Sequence, residues 1–151
     1  MTGLSNAQLA RKWFEDVWNV RRDATMHELL HPEMVGQMEG LDVHAAADFV
    51  RAREAILDAL PDLRVEVEDV VSEGNQAVVR WSAAGTHRGD GLGIPASKRP
   101  ASFRGMTWLV FSEGRIVKGW DSWNQGLLLQ QLTMPAGDSE VAAAPPTARR
   151  G

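Results

Sequence analysis

An aspartate stands among apolar residues near the end of the chain. In the run GRIVKGWDSWNQ, residues 114–125, Asp121 lies between Trp120 and Trp123 in a segment typical of a buried strand. An ionised carboxylate removed from water without a partner is costly, and the usual response is a raised pKa. Such a carboxyl group can take up and release a proton near neutral pH. Asp121 is therefore our first candidate for acid–base catalysis.

Strand alternation assigns the side chains around Asp121 to two faces, because successive side chains of a strand point in opposite directions. One face should carry Val117, Gly119, Asp121 and Trp123. The other should carry Ile116, Lys118, Trp120 and Ser122. Since a lysine favours solvent, we predict that the face with Asp121 points inward.

The same rule applied to an earlier strand adds a histidine. One face of residues 76–87 should carry Ala77, Val79, Trp81, Ala83, Gly85 and His87. The opposite face carries Arg80, Ser82 and Thr86. A carboxylate and an imidazole that face one cavity are the minimum for proton transfer, so we predict Asp121 and His87 as catalytic residues.

Each of these residues also has a purely structural interpretation, which the sequence leaves open. Asp121 could be a buried aspartate tied to a helix terminus or to Arg80, and His87 could be an ordinary histidine at a strand end. His27 and His31 have the spacing of metal ligands but no matched carboxylate, so we predict no metal site. The run GDGLG does not open a helix after a strand and lacks the features of a phosphate-binding loop, so we expect a flexible connection.

The elements that position these residues change type halfway along the chain. A capping box at Ser5 and Gln8 and helical spacing predict a helix over 5–20, with a second helix at about 23–30 and a third within 45–63 that Pro61 ends. From residue 63 onward the period becomes that of strands, with a turn at 74–75, and at least four strands follow as a meander. The run GLLLQQL predicts a short terminal helix. Helices followed by a mainly antiparallel sheet belong to the α+β class.

Composition limits the classes of function. The chain has 151 residues, a net charge of −4 and no basic block beyond its terminal ARR, which argues against a nucleic-acid partner. It has no cysteine, so disulfides and thiolate chemistry are excluded. No apolar run approaches the ~20 residues of a membrane span, and no signal-peptide layout is present, so we expect no membrane partner and a cytoplasmic location. We predict one domain over 1–133 and a disordered tail over 134–151.

Three runs of residues resemble the SnoaL-like polyketide cyclase family of the NTF2-like superfamily. They are LLHPEM, GTHRGDGLGIPASKRP and VFSEGRIVKGWDSWNQGLLLQQL, and the similarity extends over roughly residues 5–132. The resemblance implies a cone-shaped α+β barrel, with three N-terminal helices packed on a curved, mainly antiparallel sheet around a deep apolar pocket. It also implies a homodimer formed through the outer face of the sheet, and a reaction without metal or organic cofactor.

The resemblance further implies a reaction, the intramolecular aldol condensation that closes a ring of an aromatic polyketide. Asp121 falls on the position of the general acid/base in those enzymes, and His87 falls on a pocket histidine. Trp81 and Trp123 are expected to stack on a flat hydrophobic substrate. The other candidate substrate contacts are Arg80, Phe103, Trp108 and Asn124.

The sequence thus favours a cofactor-independent acid–base enzyme that cyclises or isomerises a polycyclic or polyketide-like ketone. Epoxide-hydrolysing relatives carry Arg-x-Asp where this chain has Arg80-Trp81-Ser82, so water activation by that route lacks one carboxylate. Two alternatives stay open. One is a ring-hydroxylating relative that acts on a polyketide, and the other is a non-catalytic NTF2-like module that binds a small molecule.

Overall fold

The computed structural model describes residues 3–133. Its helices are α1 Asn6–Trp13, α2 Asp23–Leu29, α3 Ala46–Ala59 and α4 Gln125–Thr133, with a π-helical segment Phe14–Val20 directly after α1. Its strands are β1 Leu30–Met38, β2 Leu41–Val43, β3 Arg64–Glu73, β4 Gln76–Thr86, β5 Pro100–Ser112 and β6 Arg115–Trp123. The predicted tail, 134–151, lies outside the described residues.

The strands form a single curved sheet in the order β2-β1-β6-β5-β4-β3. The pairs along β3, β4, β5 and β6 are antiparallel, which confirms the predicted meander. β1 runs parallel to β6 and antiparallel to β2. The ends of the order, β2 and β3, do not pair with each other, so within residues 3–133 the sheet stays open. The α+β class is therefore confirmed, with a fourth helix, α4, following the sheet.

The sequence pattern did not reveal β1 and β2. Pro32 lies inside β1, and a proline cannot donate to a strand ladder. The pairing of β1 with β6 shifts register between Leu30 and Val35, so the proline sits in an irregular stretch. The buried residues Leu30, Met34 and Met38 share one face, but Pro32 and Gly36 occupy the positions between them, so the regular alternation that identifies a strand is missing from the sequence.

The first helix begins as predicted and then widens. Ser5 Oγ accepts from the N–H of Gln8 at 3.1 Å, and Gln8 Oε1 accepts from the N–H of Ser5 at 2.8 Å, which is a complete capping box. From Phe14 the backbone is π-helical, and the buried Arg53 of α3 donates from Nε to the carbonyl oxygen of Val17 at 3.1 Å. This segment turns Phe14 and Trp18 toward the sheet, where both are buried.

A β-bulge in β6 corrects one predicted face. Val110 pairs with Lys118 while the next residue, Phe111, pairs with Ile116, so Val117 is an extra residue on β6. One extra residue moves the side chains that precede it in the strand to the face opposite to the one that simple alternation predicts. Ile116 was predicted to share the face of Lys118 but is 1% exposed and faces inward. Asp121 follows the bulge and keeps its predicted inward face.

Candidate active site

A mainly apolar cavity lies between the inner face of the sheet and the helices. The centre of a water molecule can occupy about 80 Å³ of this cavity. One bound water needs roughly 10–15 Å³ by the same measure, so the cavity has room for more than a single water. Of the described side chains along its wall, Asp121 is the one charged group, and the others that are polar are Thr107 and Gln37. The cavity can therefore hold part of an apolar ligand against a single carboxyl group.

Asp121 is a half-buried carboxyl group with a specific neighbour on the adjacent strand. In the register of β5 and β6 it lies directly opposite Thr107, whose Oγ1 donates to Asp121 Oδ1 at 2.6 Å. Burial raises the pKa of Asp121 to about 6, against the lowering effect of the Thr107 hydrogen bond and with a further rise from the negative charge of Glu39. A proton can thus be gained or lost at this site close to neutral pH.

Trp81, on β4, extends this polar contact by one more hydrogen bond. Its Nε1–H donates to Thr107 Oγ1 at 2.9 Å, and both side chains are buried. The three residues belong to three neighbouring strands, β4, β5 and β6. A chain of two hydrogen bonds therefore runs across the inner face of the sheet and ends on Asp121.

Glu39 is a second carboxylate near the site, in the turn between β1 and β2. Its Oε1 accepts from the backbone N–H of Trp123 at 3.3 Å, two residues after Asp121 on β6. Sequence reasoning missed both Glu39 and Thr107. Thr107 alternates with inward-facing residues of β5, but only the strand register pairs it with Asp121. Glu39 carries no recognisable sequence signal, since β1 itself was not predicted.

Aromatic rings form much of the wall next to Asp121. Trp81 and Phe103 meet edge to face with centroids 5.9 Å apart, and Phe103 lies 5.1 Å from Trp123. Phe14 of the π-helical segment lies 6.3 Å from Trp81 on the helical side. All four rings line the cavity, so the structure brings three of the predicted substrate contacts, Trp81, Phe103 and Trp123, together around Asp121. Flat apolar walls of this kind suit a polycyclic ligand.

His87 is fully buried but does not line the cavity. Its Nδ1 accepts from the backbone N–H of Ser97 at 3.1 Å and lies 2.9 Å from Ser97 Oγ. Since Nδ1 is an acceptor, the proton of the neutral ring is on Nε2, which has no hydrogen-bond partner among the described residues. The geometry ties the imidazole to the connection between β4 and β5. A catalytic role for His87 stays a prediction.

The other three predicted contacts, Arg80, Trp108 and Asn124, lie away from the cavity. Arg80 and Trp108 are on the outer face of the sheet, where Arg80 pairs with Glu68 at 3.2 Å. Trp108 packs against Trp120 there and donates from Nε1 to Gln76 Oε1 at 2.6 Å.

Asn124 is exposed at the start of α4. Its Oδ1 accepts from the N–H of Leu127 at 2.8 Å. This is the hydrogen bond of a helix cap, which gives Asn124 a structural partner.

The open α+β sheet and the apolar cavity with one acidic group on its described wall are those of an NTF2-like protein. The SnoaL-like polyketide cyclase family model matches residues 8–132, and the chain belongs to that family. The resemblance seen in the sequence is therefore confirmed. No curated protein matches the chain significantly.

Solved structures agree with this assignment. AclR of Streptomyces galilaeus, a proposed hydroxylase, is 27% identical with a TM-score of 0.75, covering 91% of this chain and 89% of its own. A proposed SnoaL-like polyketide cyclase from Jannaschia sp. CCS1 is 20% identical with a TM-score of 0.79, covering 86% and 92%. IdmH of Streptomyces antibioticus, a proposed polyketide cyclase, is 22% identical with a TM-score of 0.75, covering 87% and 100%. The last two establish the fold.

Two further features of residues 3–133 bear on the predicted partners. No helix in this part of the chain is long and apolar enough to cross a membrane. The same residues contain no group of three or more His, Asp or Glu side chains arranged to hold a metal ion.

Proposed function

We propose that this protein is a cofactor-independent acid–base enzyme that closes a ring of a polyketide-like ketone by intramolecular aldol condensation, with Asp121 as the group that moves the proton. The observation that carries the proposal is the carboxyl group of Asp121 on the wall of an apolar cavity, with its pKa raised to about 6. Membership of the SnoaL-like polyketide cyclase family supports the reaction class.

The first step would use Asp121 as a base. Its carboxylate removes a proton from a carbon next to a carbonyl group, which leaves an enolate and a neutral carboxyl group. A pKa of about 6 leaves the carboxylate mostly ionised at pH 7, and the apolar wall makes it more basic than a solvated aspartate. Positioned proton transfer of this kind contributes roughly 10²- to 10⁴-fold to a rate.

The second step would use the same group as an acid. The enolate carbon attacks another carbonyl carbon of the same molecule, which forms the new carbon–carbon bond and an alkoxide. The neutral carboxyl group of Asp121 returns the proton to that alkoxide and becomes a carboxylate again. Protons and electrons balance without an oxidant, a reductant or a second substrate, so one titrating group suffices.

The aromatic walls would hold the substrate in the geometry that ring closure needs. Trp81, Phe103 and Trp123 surround the site with apolar surface, and a folded aromatic polyketide presents flat rings to such surface. Enclosure holds the two reacting carbons near each other and keeps water from the enolate. A hydrogen bond from His87 Nε2 to the enolate oxygen stays part of the proposal, with the side chain or the ligand moving to meet it.

The test is Asp121→Asn, which keeps the size of the side chain and its acceptor for Thr107. We expect turnover of a polyketide-like ketone to fall by about two to four orders of magnitude, the range of acid–base catalysis. Ring formation is followed by mass spectrometry and absorbance. Ser122→Ala, the exposed neighbour on the outer face, is the matched control and should keep wild-type turnover. Ligand binding without product in the wild type would instead favour a binding module.

A second candidate function is hydroxylation of a polyketide ring, which the similarity to AclR supports. Insertion of one oxygen atom from O₂ into a C–H bond needs two electrons from a reductant, and the second oxygen atom leaves as water. A cyclase product has lost water or kept the mass of its substrate, whereas a hydroxylated product gains one oxygen. Product mass in ¹⁸O₂ together with oxygen uptake separates the two reactions.

We also propose that the protein is a homodimer formed through the outer face of the sheet. Exposed apolar side chains lie side by side there on three neighbouring strands: Val35, Met106, Trp108 and Trp120. The strand register places Trp108 opposite Trp120. Met106 lies two residues before Trp108 on β5, and Val35 lies opposite Lys118, two residues before Trp120 on β6, so the residues form one patch rather than scattered positions. A contiguous patch of this kind on a sheet face is typical of a protein interface. A second copy of the chain presents the same patch and would cover it.

A further inference from the structure

We propose that Thr107 is a positioning residue that fixes which oxygen of Asp121 exchanges a proton with the substrate, and that Trp81 sets the direction of the Thr107 hydroxyl. The inference rests on the proposed function in taking Asp121 as the reacting group. In this arrangement Asp121 Oδ1 accepts a hydrogen bond from the protein, and Asp121 Oδ2 exchanges the proton with the substrate.

The direction of the hydrogen bonds follows from the chemistry of the three side chains. An indole N–H can only donate, so Thr107 Oγ1 accepts from Trp81 Nε1 at 2.9 Å. The hydroxyl proton of Thr107 is then directed to Asp121 Oδ1, at 2.6 Å. Thr107 is 4% exposed and Trp81 is 6% exposed, so water does not compete for either bond. The hydroxyl, which elsewhere rotates freely, has one orientation here.

The two oxygens of Asp121 are consequently unlike each other. Oδ1 accepts from Thr107, whereas Oδ2 makes no hydrogen bond with the described residues. Oδ2 is not among the enclosed polar atoms that lack a partner, so it keeps accessible surface, and Asp121 lies on the cavity wall. Oδ2 is therefore the oxygen free to take a proton from a ligand and to return it.

A glycine makes room for this arrangement. Gly105 lies opposite Trp81 on β5, between Trp81 and Trp123 in the register of the sheet. A Cβ at Gly105 would lie 2.7 Å from Trp81 Cζ2 and 2.6 Å from Trp123 Cβ, closer than atoms can approach. The absence of a side chain at Gly105 thus lets the Trp81 indole lie across β5 and reach Thr107. The contact depends on three strands and is more than a chance pairing of neighbours.

Burial and Glu39 raise the pKa of Asp121, whereas Thr107 lowers it. A donor to the carboxylate stabilises the charged form, whereas burial and the nearby charge of Glu39 stabilise the neutral form. On the elements packed around Asp121, β1 with its following turn, β5 and β6, these are the polar and charged groups that act on it. Loss of the Thr107 hydroxyl should therefore favour the protonated acid.

The experiment replaces Thr107 with valine, which keeps its shape and removes its hydroxyl, and with serine, which keeps the hydroxyl. The readout is the titration of the Asp121 carboxyl carbon by carbon-detected NMR. Thr86→Val is the matched control, because Thr86 Oγ1 donates to the exposed Asp62 at 2.9 Å on the other side of β4. We expect Thr107→Val to raise the pKa of Asp121 above about 6, Thr107→Ser to restore it, and Thr86→Val to leave it unchanged.

Turnover supplies the second readout. Loss of one hydrogen bond to a charged group should lower kcat by about tenfold with little change in KM, because Thr107 Oγ1 is already engaged by Trp81 and Asp121. The inference would be overturned if the pKa of Asp121 in Thr107→Val equalled that of the wild type, or if Thr107→Ser did not restore the wild-type pKa. If valine prevents folding, Trp81→Phe replaces it, since loss of the indole N–H frees the hydroxyl and should also raise the pKa of Asp121.

The titration and the turnover of Asp121→Asn separate this inference from the proposed function. Full turnover in Asp121→Asn would remove Asp121 from catalysis, while a shifted titration in Thr107→Val would still show that Thr107 holds its carboxyl group. An unshifted titration combined with inactive Asp121→Asn would leave the function standing and remove the role of Thr107.

Discussion

The inner and outer faces of β5 and β6 carry different kinds of side chain, although the residues concerned are neighbours in the sequence. On the inner face, Thr107 and Asp121 lie opposite each other, enclosed and joined by a hydrogen bond of 2.6 Å. On the outer face, their neighbours Trp108 and Trp120 lie opposite each other and are 48% and 39% exposed. One face therefore has an enclosed polar pair and the other an exposed apolar pair. If Asp121 moves the proton and the two tryptophans lie in a dimer interface, as proposed, strand alternation gives one pair of strands two separate tasks, chemistry on one side and assembly on the other.

After the loss of turnover in Asp121→Asn, the largest effect should come from a charge on the outer face. We expect Trp108→Glu to raise the dimer Kd by at least about 30-fold, because a central aromatic residue of an interface typically contributes 2 kcal/mol or more. Light scattering or sedimentation at micromolar concentration measures it. Turnover per folded chain should stay at the wild-type value if the two faces act independently.

The control for this variant is Leu127→Glu. Leu127 is 41% exposed but lies on α4, away from the sheet face, so the same charge there should leave the dimer intact. A wild-type protein that is monomeric at micromolar concentration would contradict the dimer, and the exposed tryptophans would then need another partner.

A smaller effect is expected on stability, and it depends on pH. The folded state holds the proton of Asp121 up to about pH 6, whereas the unfolded chain releases it near 3.8, so Asp121 lowers stability as pH rises through that window. Asparagine does not ionise. Asp121→Asn should therefore increase the free energy of unfolding by about 3 kcal/mol at pH 8 and by little at pH 3.

Urea unfolding at the two pH values measures this difference. Asp62→Asn is a useful comparison. The hydrogen bond from the backbone N–H of Thr86 lowers the pKa of Asp62, so loss of the negative charge of Asp62 should destabilise the protein at pH 8. Equal effects of Asp121→Asn at both pH values would show that the carboxyl group titrates normally.

The smallest effect should appear in the pH profile. Since the base must be ionised, kcat/KM should rise with pH to a plateau with its midpoint near 6. Glu39→Gln removes a negative charge but keeps an acceptor for the Trp123 N–H, so the midpoint should move down. Glu33→Gln, an exposed change on strand β1, should not move the midpoint. An unchanged midpoint in Glu39→Gln would mean that the charge of Glu39 does not contribute to the raised pKa of Asp121.

Much of the fold was predictable because its signals are local. The capping box at Ser5, the end of α3 before Pro61 and the alternation of β4 each depend on residues a few positions apart, and the structure confirms them. The strand β1 was not predictable in this way, since Pro32 and Gly36 interrupt the alternation of apolar and polar residues. Ile116 was assigned to the wrong face because a bulge is set by the partner strand.

The candidate site divides along the same line. The sequence by itself determined an inward aspartate flanked by tryptophans, the absence of cysteine, and aromatic residues on the same faces. Alternation and composition suffice for this, because they act along one strand. Only the tertiary structure decided that Thr107 lies opposite Asp121, that Trp81 reaches Thr107 across Gly105, that Glu39 lies nearby and that His87 is held by Ser97. These contacts join residues from 10 to 84 positions apart, and strand register and burial, which depend on the whole chain, bring them together.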